Sequence, residues 1–156
     1  MKTLTSKEEA HVAGYLTIKT FKDGVLLRQT EQMPNKVVSS SNHGRNIFIQ
    51  HFAGVTTYPL EITSAAVGDD DTAAADDNTG LGNSLVADID ITNFTISNNQ
   101  LQIDVFVADG NLADNTYEEL GFFCAAQLFS RIIIAPGYTK ASGEDTLFTY
   151  TLTLTG

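Results

Sequence analysis

Apolar and polar residues alternate along most of this chain, and the alternation predicts strands from near its start to its end. Tyr15-Leu16-Thr17-Ile18-Lys19-Thr20-Phe21 is rich in β-branched and aromatic side chains, Lys22-Asp23-Gly24 supplies turn chemistry, and Val25-Leu26-Leu27-Arg28-Gln29-Thr30 returns as the second arm of a hairpin. Pro34 with Asn35 breaks the pattern. Ser39-Ser40-Ser41-Asn42 then offers several N-caps to a helix over residues 42–53, with Ile47, Phe48 and Phe52 on one face and Gly54 as the stop. Pro59 opens a strand over residues 60–67. Residues 85–96 alternate cleanly at first, Ile89 and Ile91 against Asp88, Asp90 and Thr92, until the phase slips near Thr92-Asn93, the mark of a β-bulge or a change of sheet. Ser97-Asn98-Asn99-Gln100 forms a turn, and Leu101, Ile103, Val105 and Val107 alternate beyond it as a second hairpin.

The runs at 117–123 and 128–135 read as strands buried on both faces, the second ended by Pro136-Gly137. Residues 144–154 close the chain with Phe148, Tyr150, Leu152 and Leu154 facing inward and Thr149, Thr151 and Thr153 facing out. About eight strands with one helix predict a mainly β protein, an antiparallel β-sandwich over residues 15–156. Residues 1–14 form an arm in front of it: Ser6 and Glu9 read as a capping box opening a short helix to Ala13, or the segment is an unstructured terminus. Leu101, Ile103, Val105, Phe122, Ile133, Phe148, Tyr150 and Leu152 are the expected core.

Between two of these strands lies an acidic arc, Asp69-Asp70-Asp71-Thr72-Ala73-Ala74-Ala75-Asp76-Asp77-Asn78-Thr79-Gly80. Five aspartates with few apolar neighbours cannot leave water, so the arc is expected as a solvated loop without a local cation to offset its charge. The competing expectation is that Arg45, Arg131 or a neighbouring chain's basic residue docks on it. Calcium wants six to eight oxygens, and Asp69, Asp70, Asp71, Asp76, Asp77 and Asn78 hold enough of them. Consecutive aspartates point in different directions, however, and the alternating ligand spacing of a calcium loop is missing, so no metal is assigned.

The formal charge is −10, and 13 of the 19 acidic residues fall between Glu61 and Glu119, while no Lys or Arg stands between Arg45 and Arg131. Such a surface repels phosphate, which removes nucleic acid from the expected partners. The absence of an 18-residue apolar run and of an apolar leader at Met1 to Glu9 argues against membrane spanning and Sec export. Cys124 is the only cysteine and follows Phe122-Phe123 in an apolar run, so a buried, inert thiol is expected. His43 and His51 lie eight apart, too far for a one-turn zinc pair. The chain carries no nucleophile elbow, no zincin His pair and no Cys beside His, so neither catalytic, metal nor cofactor-binding residues are assigned and a non-enzymatic role is expected. Asn93-Phe94-Thr95 matches the glycosylation acceptor pattern, a coincidence in a chain with no secretory leader.

In order along the chain stand Asp23-Gly24 in a hairpin turn, Asn35-Lys36-Val37-Val38 before a helix, Ala66-Val67-Gly68 before a loop rich in Thr, Ala and Asp, and Leu81-Gly82-Asn83. Glu119-Leu120-Gly121-Phe122-Phe123, Arg131 before a β run ending at Pro136, and Phe148-Thr149-Tyr150-Thr151-Leu152 follow. In this ordered set, from about Tyr15 to Leu154, the chain resembles a family of small bacteriophage and prophage structural proteins found among tail and accessory virion genes. Asp69-Asp70-Asp71 stands where that family commonly continues with Gly-Thr-Gly. The resemblance implies a non-enzymatic virion component, made in the host cytoplasm and working through contacts with copies of itself and other virion proteins. Its place would be the tail region (tail, baseplate, neck or fibre attachment), with a capsid decoration as the alternative. A receptor- or carbohydrate-binding module is the rival from another class; against it stand the absence of Trp and of aromatic residues in the arc.

Overall fold

A computed structural model describes residues 10–156. Ten strands and one helix follow one another as β1 (His11–Lys22), β2 (Val25–Gln29), β3 (Met33–Val37), α1 (Gly44–Phe52), β4 (Ser64–Gly68), β5 (Ser84–Asp90), β6 (Asn93–Ser97), β7 (Gln100–Val107), β8 (Thr116–Cys124), β9 (Gln127–Thr139) and β10 (Asp145–Thr155). Every pairing is antiparallel, in the order β5-β4-β8-β9-β3-β1-β10-β7-β6, with β2 added to β1. The sheet curls so far that Phe122 of β8 stacks on Tyr150 of β10, ring centroids 4.6 Å apart, although β9, β3 and β1 separate the two strands in the order. The expected mainly β, antiparallel architecture with one helix is therefore what the chain adopts.

Two hairpins follow from their turns. Asp23 and Gly24 both take positive φ, 52° and 77°, the backbone that a two-residue turn between twisted strands demands. The β6–β7 turn uses Asn98 at φ 53° in the same way. The phase slip near Thr92-Asn93 is a change of place in the sheet: β5 ends at Asp90, β6 begins at Asn93, and the two occupy opposite ends of the strand order. Splitting this segment in two is one reason the described residues form ten strands where about eight are expected.

Two prolines act differently from expectation. Pro34 lies inside β3, at the point where that strand passes from β1 (Tyr15 opposite Pro34) to β9 (Asn35 opposite Ile132), so its missing N–H interrupts neither ladder. Pro136-Gly137 does not end β9, which continues to Thr139 through a cis Ala135–Pro136 bond. Between the pairs Tyr117 with Tyr138 and Glu119 with Ile133 the register shifts, and Pro136, exposed among the extra residues of β9, has no pairing partner on β8 to donate to.

At the start of the chain, residues 11–14 belong to β1, His11 opposite Thr155 and Gly14 opposite Leu152, rather than to an arm or short helix. The capping-box residues Ser6 and Glu9 lie outside the described residues. Helix α1 is shorter than residues 42–53, with His43 rather than a Ser or Asn at its N-cap and Gly54 as the stop at φ 74°. Ile47 is fully buried, but Phe52 is 78% exposed, its ring edge-on to Phe48 at 5.1 Å. The strand expected over residues 60–67 pairs only over Ser64–Gly68.

Of the expected core, Ile103, Val105, Phe122, Phe148 and Tyr150 are fully buried, while Leu101, Ile133 and Leu152 are half-buried. Leu154, expected inward, is 44% exposed. Ile103→Ala should cost about 2–5 kcal/mol because it leaves a cavity. Ile96→Ala on the partner strand should stay within about 0.5 kcal/mol, since Ile96 already faces water. Urea unfolding of the two variants checks the contrast.

Candidate functional site

The acidic arc is built around a carboxylate that is not part of it. Glu119 of β8 and Arg131 of β9 lie on the same face of a strand pair, Arg131 directly opposite Gly121, and both side chains are almost wholly buried. Arg131 Nε donates to Glu119 Oε2 at 2.8 Å. The remaining acceptor capacity of Glu119 is filled by the backbone N–H groups of Gly82 (2.9 Å) and Asn83 (2.8 Å). Arg131 reaches on into the arc, donating from Nη1 to Asn78 Oδ1 at 3.2 Å and from Nη2 to the Asp70 carbonyl at 3.5 Å. A buried ion pair contributes stability only when its leftover donors and acceptors are satisfied, and here they are. Gly68, opposite Glu119 in the β4–β8 pairing, gives the carboxylate its room: a Cβ there would collide with Glu119 Oε1 and the Asn83 carbonyl. A Cβ at Gly82 would likewise collide with the Asp70 carboxylate.

Three cations from distant parts of the chain converge on the arc, contrary to the solvated loop without a counter-charge. Besides Arg131, Arg45 of α1 meets Asp76 Oδ1 at 2.5 Å and Lys36 of β3 meets the same oxygen at 3.2 Å. The Asp76 carbonyl accepts from the N–H groups of Ser39 and Ser40, at 2.8 and 3.1 Å. Asp70 turns back on Thr72, accepting its N–H at 2.7 Å; those hydrogen bonds, helped by Arg131, hold its carboxyl below the usual range. The arc surrounds a polar hollow of about 420 Å³ with Arg131 in its wall. Among the described residues no group of three or more His, Cys, Asp or Glu is placed to hold a metal ion.

A second charged cluster pins the loops beside the β1–β2 hairpin. Arg28 donates from Nη1 and Nη2 to the two Glu144 oxygens, each at 2.8 Å, and lies over the Tyr138 ring at 5.6 Å. This bidentate contact, with the Ala141 N–H, takes the Glu144 carboxyl from its ordinary 4.5 down to about 2. Lys140, with no side-chain exposure, donates to Asp109 at 2.6 Å and Asp114 at 2.9 Å. Burial works against its charge, and the two carboxylates outweigh burial, so its pKa lies above the ordinary value.

Near the start of β1 the curled sheet opens into an apolar hollow of about 580 Å³ lined by Val12, Phe48, Ile62, Phe94, Ile96 and Leu154, among others. Glu61, Asn98, Asn99 and Gln100 also line it. Phe94 is 43% and Ile96 79% exposed on β6, which among the described strands pairs only with β7. This surface is not legible from alternation alone; the place of Phe94 and Ile96 on an end strand, next to the phase slip, is what leaves them uncovered.

The histidines are not brought together. His51 Nε2 shares a hydrogen bond with the Tyr58 carbonyl at 2.8 Å, whereas His43 Nδ1 is buried without a hydrogen-bond partner, and burial lowers the pKa of that ring. Cys124 is fully buried, its thiol donating to the Leu60 carbonyl at 3.4 Å, and burial pushes its pKa from 9.0 to about 12. That is the inert thiol expected. Among the described residues no helix is long and apolar enough to cross a membrane.

Fold and surfaces together define an antiparallel β protein with an internally clamped acidic loop and an open apolar mouth. Compared with family models, curated proteins and solved structures, the chain finds no match in any of the three.

Two variants test the clamps. Arg131→Met leaves Glu119 buried without its cation and should cost about 3–5 kcal/mol, while Glu119→Gln added to it should return part of that loss, because a neutral amide needs no counter-charge. Chemical denaturation of both variants and of the parent measures it. For Glu144 the folded-state pKa is depressed, so its contribution is complete above the ordinary 4.5, falls as pH drops toward about 2, and is gone below. Melting curves of wild type and Glu144→Gln should therefore differ at neutral pH and converge across that window.

Proposed function

We propose that this protein is a non-enzymatic structural component of a bacteriophage virion, assembled in the tail region through protein–protein contacts, with the capsid surface as the alternative address. The observation that carries the reading is the exposed apolar mouth around Phe94 and Ile96 on a chain of net charge −10. Contiguous apolar surface with a polar rim marks a contact site, and acidity elsewhere discourages indiscriminate association. The ordered motifs from Asp23-Gly24 to the final strand, similar to those of small phage structural proteins, support the same class. In this reading the curled sheet works as a two-layer β-sandwich, supported by the stacking of Phe122 on Tyr150 from strands that are not neighbours. Copies of the chain and other virion proteins are its partners, and repetition makes weak contacts sufficient.

One observation favours a second reading, a glycan- or receptor-binding module. The exposed Phe94 ring shares the mouth with the amides of Asn98, Asn99 and Gln100, the pairing of flat apolar face and hydrogen-bonding side chains that sugars use. The Asn99 amide, however, already donates to the Leu154 carbonyl at 2.8 Å.

Mass spectrometry of purified particles tests the first reading. The chain should be present in intact virions; abundance in infected cells with absence from particles would overturn it. A glycan array probed with wild type and Phe94→Ala tests the second, which requires binding that the substitution removes.

A further inference from the structure

The β1–β2 hairpin is a second unpartnered apolar surface. All five residues of β2 are exposed, including Val25 at 63%, Leu26 at 48% and Leu27 at 49%, and among the described strands β2 pairs only with β1. Residues 19–29 also hold Lys19, Lys22 and Arg28 against the single acid Asp23, three of the nine basic residues of the chain. The mouth has the opposite character. Among the described residues its one charged lining residue is Glu61, and no Lys or Arg occurs in sequence between Arg45 and Arg131.

Geometry keeps these two surfaces apart within one molecule. Val12 lines the mouth and Lys22 ends β1 at the hairpin turn, ten residues further along one extended strand, a separation of about 33 Å. A chain cannot fill its own mouth with its own hairpin. A second copy can.

From this complementarity of charge and apolar surface we infer that the β1–β2 hairpin of one copy seats on the free edge of β6 in the next. It places Leu26, opposite Phe21 in the hairpin, against Phe94 and Ile96, which share one face of β6, with Lys19 on the Phe21 face turned toward Glu61. Both strands are five residues long and, among the described residues, each leaves one edge unpaired, which suits main-chain pairing as well as side-chain burial. The contact is heterologous: each copy uses one surface to give and another to receive, so assembly continues until a ring closes or a filament grows. The inference deepens the assembly reading above, on which it rests.

Complementation between two blocked variants tests it. Leu26→Asp disables the hairpin and leaves the mouth intact, whereas Ile96→Asp disables the mouth and leaves the hairpin intact; both positions are exposed, and unchanged circular dichroism and melting confirm folding. In native mass spectrometry at the highest soluble concentration, wild type should form a series beyond the dimer and each variant alone should be monomeric. An equimolar mixture should give a heterodimer that does not grow, built from the Ile96→Asp hairpin in the Leu26→Asp mouth. A monomeric wild type, variants that assemble like wild type, or a mixture that stays monomeric would each overturn the inference. Particle mass spectrometry is a separate measurement, so a chain present in virions but monomeric in solution sinks this contact and leaves the virion reading standing.

Discussion

A buried carboxylate decides how this chain is arranged around its acidic loop. Glu119 sits on a strand whose neighbours are apolar on both sides, and taking an ion out of water costs several kcal/mol before any partner returns it. Arg131 supplies the opposite charge from the next strand, and Gly82 and Asn83 supply two backbone donors from the far end of the arc. The order of dependence is thus fixed by magnitude. The exposed pairs of Asp76 with Arg45 and Lys36 contribute at most about 1 kcal/mol each. The buried group cannot be left unmet, so it compels residues 82–83 to return to β8 and thereby closes the loop.

The other end of that compulsion is β3. Its first residues belong to the β1 side and its last to the β9 side, which makes it the seam where the sheet turns over. Asn35 stitches the seam with its side chain, accepting the Gly14 N–H at 2.7 Å through Oδ1 and donating through Nδ2 to the Tyr150 hydroxyl. A side-chain amide carries both a donor and an acceptor, so it can stand in for a backbone peptide where strands diverge. Tyr150 in turn stacks on Phe122, one residue beyond the Gly121 that faces Arg131. Seam, core and clamp are one connected set of contacts.

Local chemistry made part of this visible in advance. Turns with Asp-Gly or Asn-Asn between alternating segments define hairpins without help from the rest of the fold, and both formed as expected. The slip at Thr92-Asn93 announced an irregularity, although periodicity does not distinguish a bulge from a change of strand partner. Pro34 and Pro136 misled because their tolerance depends on where a neighbouring strand stops pairing, information held by the tertiary structure. Leu154 misled for a related reason: alternation reports which face a residue occupies, not whether anything covers that face. The clamp left a trace in Glu119, which follows Glu118 at the head of one apolar run, and in Arg131, twelve residues on inside the next. Charges in such company are almost never buried alone. That Arg131 and Arg45 reach the arc was the competing expectation, and it is what forms; the part of Glu119 was beyond reach, because the backbone donors that complete the site carry no side-chain signature.

The sealed thiol of Cys124 has a practical side. A group titrating near 12 holds essentially no thiolate at neutral pH, and its sulfur lies beneath the segment around Leu60, out of reach of alkylating reagents. The native chain is consequently silent toward maleimide chemistry while folded. A cysteine placed at an exposed turn becomes the only reactive thiol on the surface, so a fluorophore or spin label can be attached at one chosen point without first deleting the native residue.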